Sequence, residues 1–595
     1  MKDFSVDRFL GLNEAADSQR ELKPGQAAKM ENFTVTDGGN LTLRPGIVPL
    51  NRQEWGQTPT FLDRAMPVYA GGQEWILSWH NRDGKSLLCL MGQTESKMWT
   101  LDQPVEQIFL LGGKIWILQS ATGEVRCLCM EPTQEGLKDP QNVEAYVPLL
   151  RTGCNAVGEG QIREELNILT DQFRLEAVGD GVSADYKLIG AGAVESVLAD
   201  GKVVSGSFQN GVYTFSEPPE EGIRLQFVCR VSGDTLQPYR EQLMAMTGNT
   251  LWGEESDNRC FFWGDGSNTC LYTEVPQYGQ GLYFPVGNRL TADHSAAPIT
   301  GLCSHYSRLL VYKPDGVDVM ISESGRGFSL RPVSRQFGND GVGQLQLVEN
   351  SPRSFTKGGI YDWRMTQSAY RDERYAVRIS DRICRTLSAL EVSRFVTCDD
   401  GISKTYYVFA NDEDGTVLVH RYGLDVWTVY RSTLTRNVTA AFLWGKQPVF
   451  LANGQLRTWD SSEAYDIDTQ GEKIAIPAVW ESGYLDFDMP RQRKYCAHIW
   501  LSLLSRSGTD LDITARTDRQ SGYAVRNLRS ALLDFGRMDF SRMSFVTFTA
   551  PRVHRVKLKV RKFVYYKLVF RLNKPGAVAT VLGYEQQLRP GAGVK

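Results

Sequence analysis

The sequence has little histidine and no clustered cysteines. Its 595 residues include only 6 His, and none of them forms an HExxH or HxH segment. The 11 Cys are odd in number and contain no CxxC pair. A histidine-based zinc site and a disulfide framework are therefore not expected. We predict buried free thiols, a reducing compartment, and no metal or other cofactor.

Catalytic fingerprints and membrane segments are missing as well. The chain contains no P-loop, no GxSxG and no Rossmann glycine motif. No run approaches ~18 consecutive apolar residues, and no apolar segment follows Met1, so we expect neither a membrane span nor a signal peptide. The sequence therefore predicts a protein that is not an enzyme and has no catalytic residues.

Glycine, aromatic residues and an internal repeat are what the chain does have. It contains 56 Gly, 24 Tyr, 26 Phe and 13 Trp. Gly71, Gly72 and Trp75 reappear as Gly112, Gly113 and Trp116, at an offset of 41 residues. A turn and a second apolar run follow both copies. A period of about 40 residues with short strands is typical of β-propeller blades, and we count six or seven such units. An unclosed series of β-sandwich modules is the alternative.

The predicted fold class is all-β: a β-propeller with an inserted small β-sandwich and a C-terminal β-sandwich. The repeat breaks between about 150 and 235, where alternating strands and short turns replace it, and it stops again after about 475. A weak helical tract is expected at 163–169. The predicted divisions are an N-terminal arm at 1–50, propeller segments at 51–150 and 236–475, an inserted β domain at 151–235, and a basic β-sandwich at 476–595.

The net charge of −3 conceals an uneven distribution. Residues 491–595 carry 21 Lys and Arg against 6 Asp and Glu, a balance of +15, so the rest of the chain carries −18. Alternation along a strand would place the cations from Arg555 to Arg561 on one face and the intervening aliphatics on the other. Such a face could contact phosphates without reading the base sequence. The alternative is a solvated sheet face whose Lys and Arg protect its edge. The candidate DNA-facing residues are Arg555, Lys557, Lys559, Arg561, Lys567 and Arg571.

The N-terminal segment carries a motif made of an Asn, a gap, Gly-x-Leu, and then Arg-Pro-Gly. Its residues are Asn32, Gly39, Leu41, Arg44, Pro45 and Gly46. The motif resembles the opening of phage tail hub or nozzle proteins, also called tail tubular protein B or packaged-DNA stabilisation proteins. Tyr422 to Trp427 and Trp480 to Phe487 are similar to strands of the same family. The resemblance extends from residue 9 to about 570 through short motifs.

This resemblance implies a structural virion protein of a short phage tail. Six copies would form a ring below the portal and its adaptor, and the ring would retain and then eject genomic double-stranded DNA. The implied partners are other copies of the chain, the adaptor or head–tail connector, tail fibre or spike proteins, and DNA bound non-specifically. The implied location is the virion tail, assembled in the host cytoplasm. The candidate assembly arm comprises Asn32, Arg44, Pro45 and Gly46.

Two other classes of function stay open at this point. One is a carbohydrate-binding or glycan-cleaving propeller of a phage tail, which clustered aromatic and carboxylate side chains would favour. The other is a cellular propeller scaffold, which a monomer absent from virions would favour.

Overall fold

The computed structural model describes residues 2–594, apart from 51–61, 94, 122–123, 135, 254–257, 278, 324–326, 344, 368–371, 505–507 and 531–549. Regular structure in these residues is nearly all β, which confirms the predicted class. Two α-helices are present in the described ranges, α1 (Gln237–Ala245) and α2 (Cys384–Ser388). Short 3-10 turns lie at Asp381–Ile383, Val392–Arg394 and Thr433–Thr435.

The N-terminal segment contributes five short strands. They are β1 (Lys2–Val6), β2 (Ala27–Glu31), β3 (Phe33–Val35), β4 (Leu41–Leu43) and β5 (Gly46–Pro49). Four of them pair with distant parts of the chain, and β3 pairs with β4.

Two four-stranded antiparallel sheets follow and correspond to the sequence repeat. In both, the Gly pair has φ values of 61° and 73°, the left-handed region that favours glycine. The Trp75 indole donates to the Ala70 carbonyl at 3.1 Å, and Trp116 donates to Leu111 at 3.2 Å. The two copies are therefore equivalent in structure. Unit 1 consists of β6 (Arg64–Ala70), β7 (Gln73–Arg82), β8 (Lys85–Met91) and β9 (Ser96–Leu101); unit 2 consists of β10 (Val105–Leu111), β11 (Lys114–Ala121), β12 (Glu124–Met130) and β15 (Gln141–Asn142), with a hairpin of β13 (Pro132–Thr133) and β14 (Gly136–Leu137) between its last two strands.

An insertion then forms two sheets around its own aromatic core. Phe173, Tyr213 and Phe227 are buried between the sheets. The sheet orders are β17-β16-β18-β24-β20-β21 and β19-β23-β22. The strands are β16 (Leu149–Cys154), β17 (Gln161–Ile162), β18 (Gln172–Val178), β19 (Asp185–Lys187), β20 (Ala191–Ala199), β21 (Lys202–Val203), β22 (Gly206–Gln209), β23 (Val212–Phe215) and β24 (Arg224–Val231).

The helical tract predicted at 163–169 is wrong. This segment is irregular, with an isolated bridge at Asn167 followed by a turn at 168–169. The Asn167 amide donates to the carbonyls of Tyr146 and Leu282 at 2.7 and 2.9 Å. These side-chain bonds satisfy neighbouring backbone carbonyls without a helix.

Five further units complete the repeated part of the chain. Unit 3 is β25 (Gly248–Trp252), β26 (Arg259–Trp263), β27 (Thr269–Tyr272) and β28 (Arg289–Thr291); unit 4 is β29 (Gly301–His305), β30 (Arg308–Lys313), β31 (Gly316–Glu323) and β32 (Gly327–Ser334); unit 5 is β33 (Gln346–Val348), β34 (Ser351–Thr356), β35 (Gly359–Gln367) and β36 (Asp372–Arg378). Unit 6 is β37 (Val396–Asp400), β38 (Thr405–Phe409), β39 (Thr416–Arg421) and β40 (Val426–Arg431); unit 7 is β41 (Val438–Trp444), β42 (Gln447–Ala452), β43 (Gln455–Asp460) and, from the N-terminal segment, β5. A small hairpin of β44 (Tyr465–Ile467) and β45 (Lys473–Ala475) follows.

The units contact one another in an order that returns to its start. First strands touch from unit 3 to unit 7 in succession, and β41 of unit 7 touches β6 of unit 1. Units 1 and 2 share a hydrophobic core, and β10 of unit 2 touches β25 of unit 3. Because β5 pairs antiparallel with β43, the last unit joins the two ends of the repeated region.

Two facing sheets form the C-terminal part. One has the order β3-β4-β52-β47-β50, with β1 paired to β52; the other extends unit 6 through β40-β2-β46-β51-β48-β49. Trp480, Ile499, Phe570 and Tyr584 are buried in the core that they share. The C-terminal strands are β46 (Ala478–Ser482), β47 (Gln492–Leu504), β48 (Thr509–Thr517), β49 (Arg526–Ser530), β50 (Pro551–Phe563), β51 (Tyr566–Leu572) and β52 (Thr580–Gly593).

Candidate nucleic-acid interface

Four of the six candidate DNA-facing residues form an exposed row on β50. Arg555, Lys557, Lys559 and Arg561 are all exposed, and the residues between them are buried in the core of the C-terminal sheets. The buried residues are Val556, Leu558 and Val560. Alternation along the strand explains this arrangement, because successive side chains point to opposite faces.

Two irregularities in pairing shape this strand. From Lys494 to Cys496 and again from Cys496 to His498, β47 advances by two residues while β50 advances by three. Lys559 and Lys562 lie in these steps, and each has a φ of 56°. A β-bulge adds one residue to a strand, bends it and increases its twist. The bulges therefore curve β50 while its cations stay on the outer face.

His498 lies on β47, the strand paired with β50, and is surrounded by positive charge. The Arg555 guanidinium lies 3.1 Å from Nε2 of His498. The pKa of His498 is lowered from its ordinary value, first by desolvation and then by Arg555, Lys557 and Arg589. Because these three cations act on one imidazole, positive charge extends from β50 across β47 to β52.

The cations of the row have no carboxylate partner among the described residues. No ion pair within those ranges involves Arg555, Lys557, Lys559 or Arg561. Within those ranges, the row is therefore a set of four exposed cations that no carboxylate neutralises. On nucleic acids, Lys and Arg side chains most often contact the phosphate groups, and these contacts carry no sequence information.

Lys567 and Arg571, which the sequence also indicated as candidate DNA-facing residues, do not belong to this row. Both lie on β51, in the facing sheet. Lys567 is buried; its ammonium lies 3.6 Å from Glu481 and donates to Gln19 at 2.6 Å, and burial lowers its pKa. Arg571 lies 3.9 Å from the same carboxylate. These two cations neutralise a buried acid. Lys567 is buried and Arg571 is half-exposed, so they do not form a second exposed cationic row.

The residues of the N-terminal motif form an internal clasp. Arg44 is fully buried, and its guanidinium makes two bonds to Asp466, at 2.8 and 2.7 Å, and one to Asn32, at 2.9 Å. A further bond at 2.8 Å reaches the Pro45 carbonyl. A Cβ on Gly46 would meet the Tyr465 carbonyl at 2.2 Å, so this approach requires glycine.

Asn32 extends the clasp to two more elements. Its amide donates to the Arg431 carbonyl at 3.1 Å and to the Pro477 carbonyl at 2.8 Å. Its carbonyl accepts from the Arg431 amide at 2.8 Å. The side chains of Asn32 and Arg44 therefore bind within the chain, and contact of this segment with a neighbouring protein stays a prediction.

The cysteines behave as small core residues. All 11 are free, and 10 of them are buried, including Cys127 and Cys129. Desolvation raises the pKa of Cys127 to about 12, which keeps this thiol protonated. Within the described part of the chain, no three His, Cys, Asp or Glu side chains come together in a way that could hold a metal ion. No helix in that part is long and apolar enough to cross a membrane.

Comparisons with known proteins leave the family open. No family model and no curated protein matches the chain. Similar solved structures include one of a mitotic checkpoint complex (9% identity, 69% of this chain and 98% of that chain, TM-score 0.32). Others are an exo-β-1,3-galactanase from Phanerochaete chrysosporium (7%, 81% and 95%, 0.19) and apo AztD from Citrobacter koseri (10%, 62% and 86%, 0.28). None of these three is a phage tail protein, and TM-scores this low support no inference about the function of this chain.

Proposed function

We propose that this chain is a structural virion protein of a short phage tail. In this proposal it is the subunit of a hub or nozzle ring of six copies, located below the portal and adaptor. The ring retains genomic double-stranded DNA and later conducts it out of the particle. The observation that carries the proposal is the exposed row Arg555, Lys557, Lys559 and Arg561, which has no carboxylate partner among the described residues.

We interpret the seven four-stranded units as the blades of a β-propeller. Their closed order of contacts and the pairing of β5 with β43 support this interpretation, since a strand from the other end of the chain then completes the last blade. The insertion and the C-terminal sheets would be the two sandwiches. Such a scaffold suits a static conduit, whose subunits need complementary faces to close a ring.

The charge distribution fits a channel wall. A few cations on one strand attract phosphates weakly and without sequence preference, whereas a uniformly basic surface would hold DNA in place. The adaptor and the tail fibre or spike proteins are the further partners of the proposed ring.

Electron microscopy of the purified protein and of source virions tests the assembly. Six-fold rings with a central channel, and the same density in the tail, are the expected results. A discrete monomer that is absent from particles would overturn the proposal.

DNA binding tests the cationic row separately. We expect the full chain to bind a short duplex with a strongly salt-dependent affinity, measured by fluorescence anisotropy. Reversing Lys557, Lys559 and Arg561 to Glu should reduce the slope of log K against log salt by about 2.7, since each phosphate contact contributes about 0.9. The matched control reverses three exposed lysines elsewhere, Lys85, Lys187 and Lys202. Equal slopes in both triple variants would remove the row from the DNA-binding surface.

A further inference from the structure

A cavity of about 390 Å³ opens where the insertion joins units 2 and 3. Its walls come from three parts of the chain: Trp116 on β11, the segments on either side of β16 and β17, and the connection between β27 and β28. This volume lies within the range of small-molecule sites. The lining residues used below are Trp116, Tyr146, Glu164, Glu165, Glu274 and Tyr283.

Aromatic rings line the cavity in fixed positions. The rings of Tyr146 and Tyr283 lie 5.1 Å apart at 56°, and both residues are half-buried. The Tyr283 hydroxyl donates to the Glu165 carbonyl at 2.9 Å and accepts from the Glu165 amide at 3.1 Å. Trp116 is held by its indole bond to Leu111. Such rings present electron-rich faces to the C–H groups of a ligand.

Three carboxylates in the cavity wall are held by the chain and keep spare acceptor capacity. Glu164 accepts from the Tyr146 hydroxyl at 3.0 Å, Glu165 accepts from the Gly287 amide at 2.6 Å, and Glu274 accepts from Asn288 at 3.0 Å. A carboxylate offers about four lone-pair sites. Glu164 also accepts from the Leu149 amide, and Glu274 also accepts from the Val275 amide and Arg259, so Glu165 keeps the largest spare capacity of the three. Burial and then the three carboxylates raise the pKa of Tyr283, whose phenol stays protonated.

One arginine pairs with these acids, and another lines the cavity. Arg259 pairs with Glu274 at 3.2 Å. Arg163 lines the cavity beside the three carboxylates. The lining therefore carries three carboxylates and one guanidinium, a negative balance that disfavours an anionic ligand. The amides of Gln277, Gln280 and Asn288 add groups that both donate and accept.

We propose that this cavity binds a neutral carbohydrate. A pyranose ring has an apolar C–H face, which the tyrosines would contact, and hydroxyls that donate to carboxylates and accept from amides. A lining that disfavours anions, fixed aromatic walls and mixed hydrogen-bonding groups all match that chemistry. The site lies on a part of the chain distinct from β50, so it does not depend on the proposed DNA conduit.

Saturation-transfer difference NMR on the full chain tests the proposal. The probes are methyl β-glycosides of glucose, galactose and N-acetylglucosamine, and the disaccharides lactose and cellobiose. We expect at least one probe to bind, with the strongest transfer to its C–H protons. Absence of transfer from every probe at tens of millimolar would overturn the proposal. Binding of N-acetyl-lysine methylamide but of no saccharide would also overturn it, because it would identify a cation pocket.

Variants locate the bound saccharide. Gln277→Ala with Gln280→Ala, and separately Glu165→Gln, should each weaken binding about tenfold, the effect of losing one good hydrogen bond. Gln209→Ala with Gln447→Ala changes two exposed glutamines elsewhere and should leave binding unchanged. Far-ultraviolet circular dichroism checks that the folds are equal. Unchanged affinity in both cavity variants would place the saccharide elsewhere and refute the assignment. Neither result alters the test of DNA binding.

Discussion

Replacing Arg44 with methionine should open the last unit without unfolding the others. The wild-type guanidinium makes four hydrogen bonds, two to Asp466 and one each to Asn32 and the Pro45 carbonyl. Methionine fills similar space but leaves Asp466 buried without its counter-ion. Removing one partner of a buried ion pair typically costs about 3–5 kcal/mol. If the cost lies in the lower part of this energy range, the contact between β5 and β43 should open about 10²- to 10³-fold more often than in the wild-type chain.

Amide hydrogen exchange measures this local opening. Global unfolding is unsuitable because a chain with several cores need not unfold in one step. The informative amides are those of Thr458 and Val48, which lie opposite each other where β43 pairs with β5. Amides of β30 in unit 4 should keep their protection. Lys29→Met is the matched control: its pair with Glu31 is half-exposed, so its loss should cost less than about 1 kcal/mol. A loss of protection at Thr458 no larger than that of the control would refute the internal clasp.

Three other changes give distinct expectations. Burial lowers the pKa of His305 to about 4, so the unfolded segment binds a proton below about pH 6.5 while the folded one does not. Local stability should therefore fall by about 2 kcal/mol from pH 7 to pH 5, and His305→Gln should remove that dependence from the exchange protection factors of the β29 amides. Glu481→Gln leaves Lys567 buried without a counter-ion and should lower the stability of the C-terminal sheets by about 3 kcal/mol, measured by exchange of the β51 amides. Gly71→Ala should cost more than Gly72→Ala, because only the first Cβ meets backbone atoms, at 2.7 Å; equal exchange protection of the β7 amides in the two variants would contradict this.

The sequence was sufficient to predict local patterns that depend on neighbours along the chain. The 41-residue repeat corresponds to two equivalent sheets. In each sheet the Gly pair takes the same left-handed turn, and the Trp indole donates to the carbonyl five residues before it, at the end of the preceding strand. The alternation from Arg555 to Arg561 predicted which side chains are exposed, since strand geometry fixes this directly.

Contacts between distant segments could not be predicted in this way. Lys567 follows a similar alternation, yet it lies in the facing sheet against Glu481, 86 residues earlier. Alternation assigns a side of a strand but does not say which sheet the strand joins. The cavity was missed for the same reason, because Tyr146 and Tyr283 meet only when the insertion rejoins the repeated units.

The N-terminal motif has a physical meaning that separates fold from function. Asn32 and Arg44 tie the segment to β40, to the residues before β46 and to Asp466, and Gly46 permits the backbone to pass Tyr465. Each residue is therefore required where a strand from one end of the chain completes a sheet at the other. The resemblance to tail hub proteins thus bears on how the chain closes, and the proposed DNA conduit depends on the separate cations of β50, which is why reversing those cations is the decisive test of function.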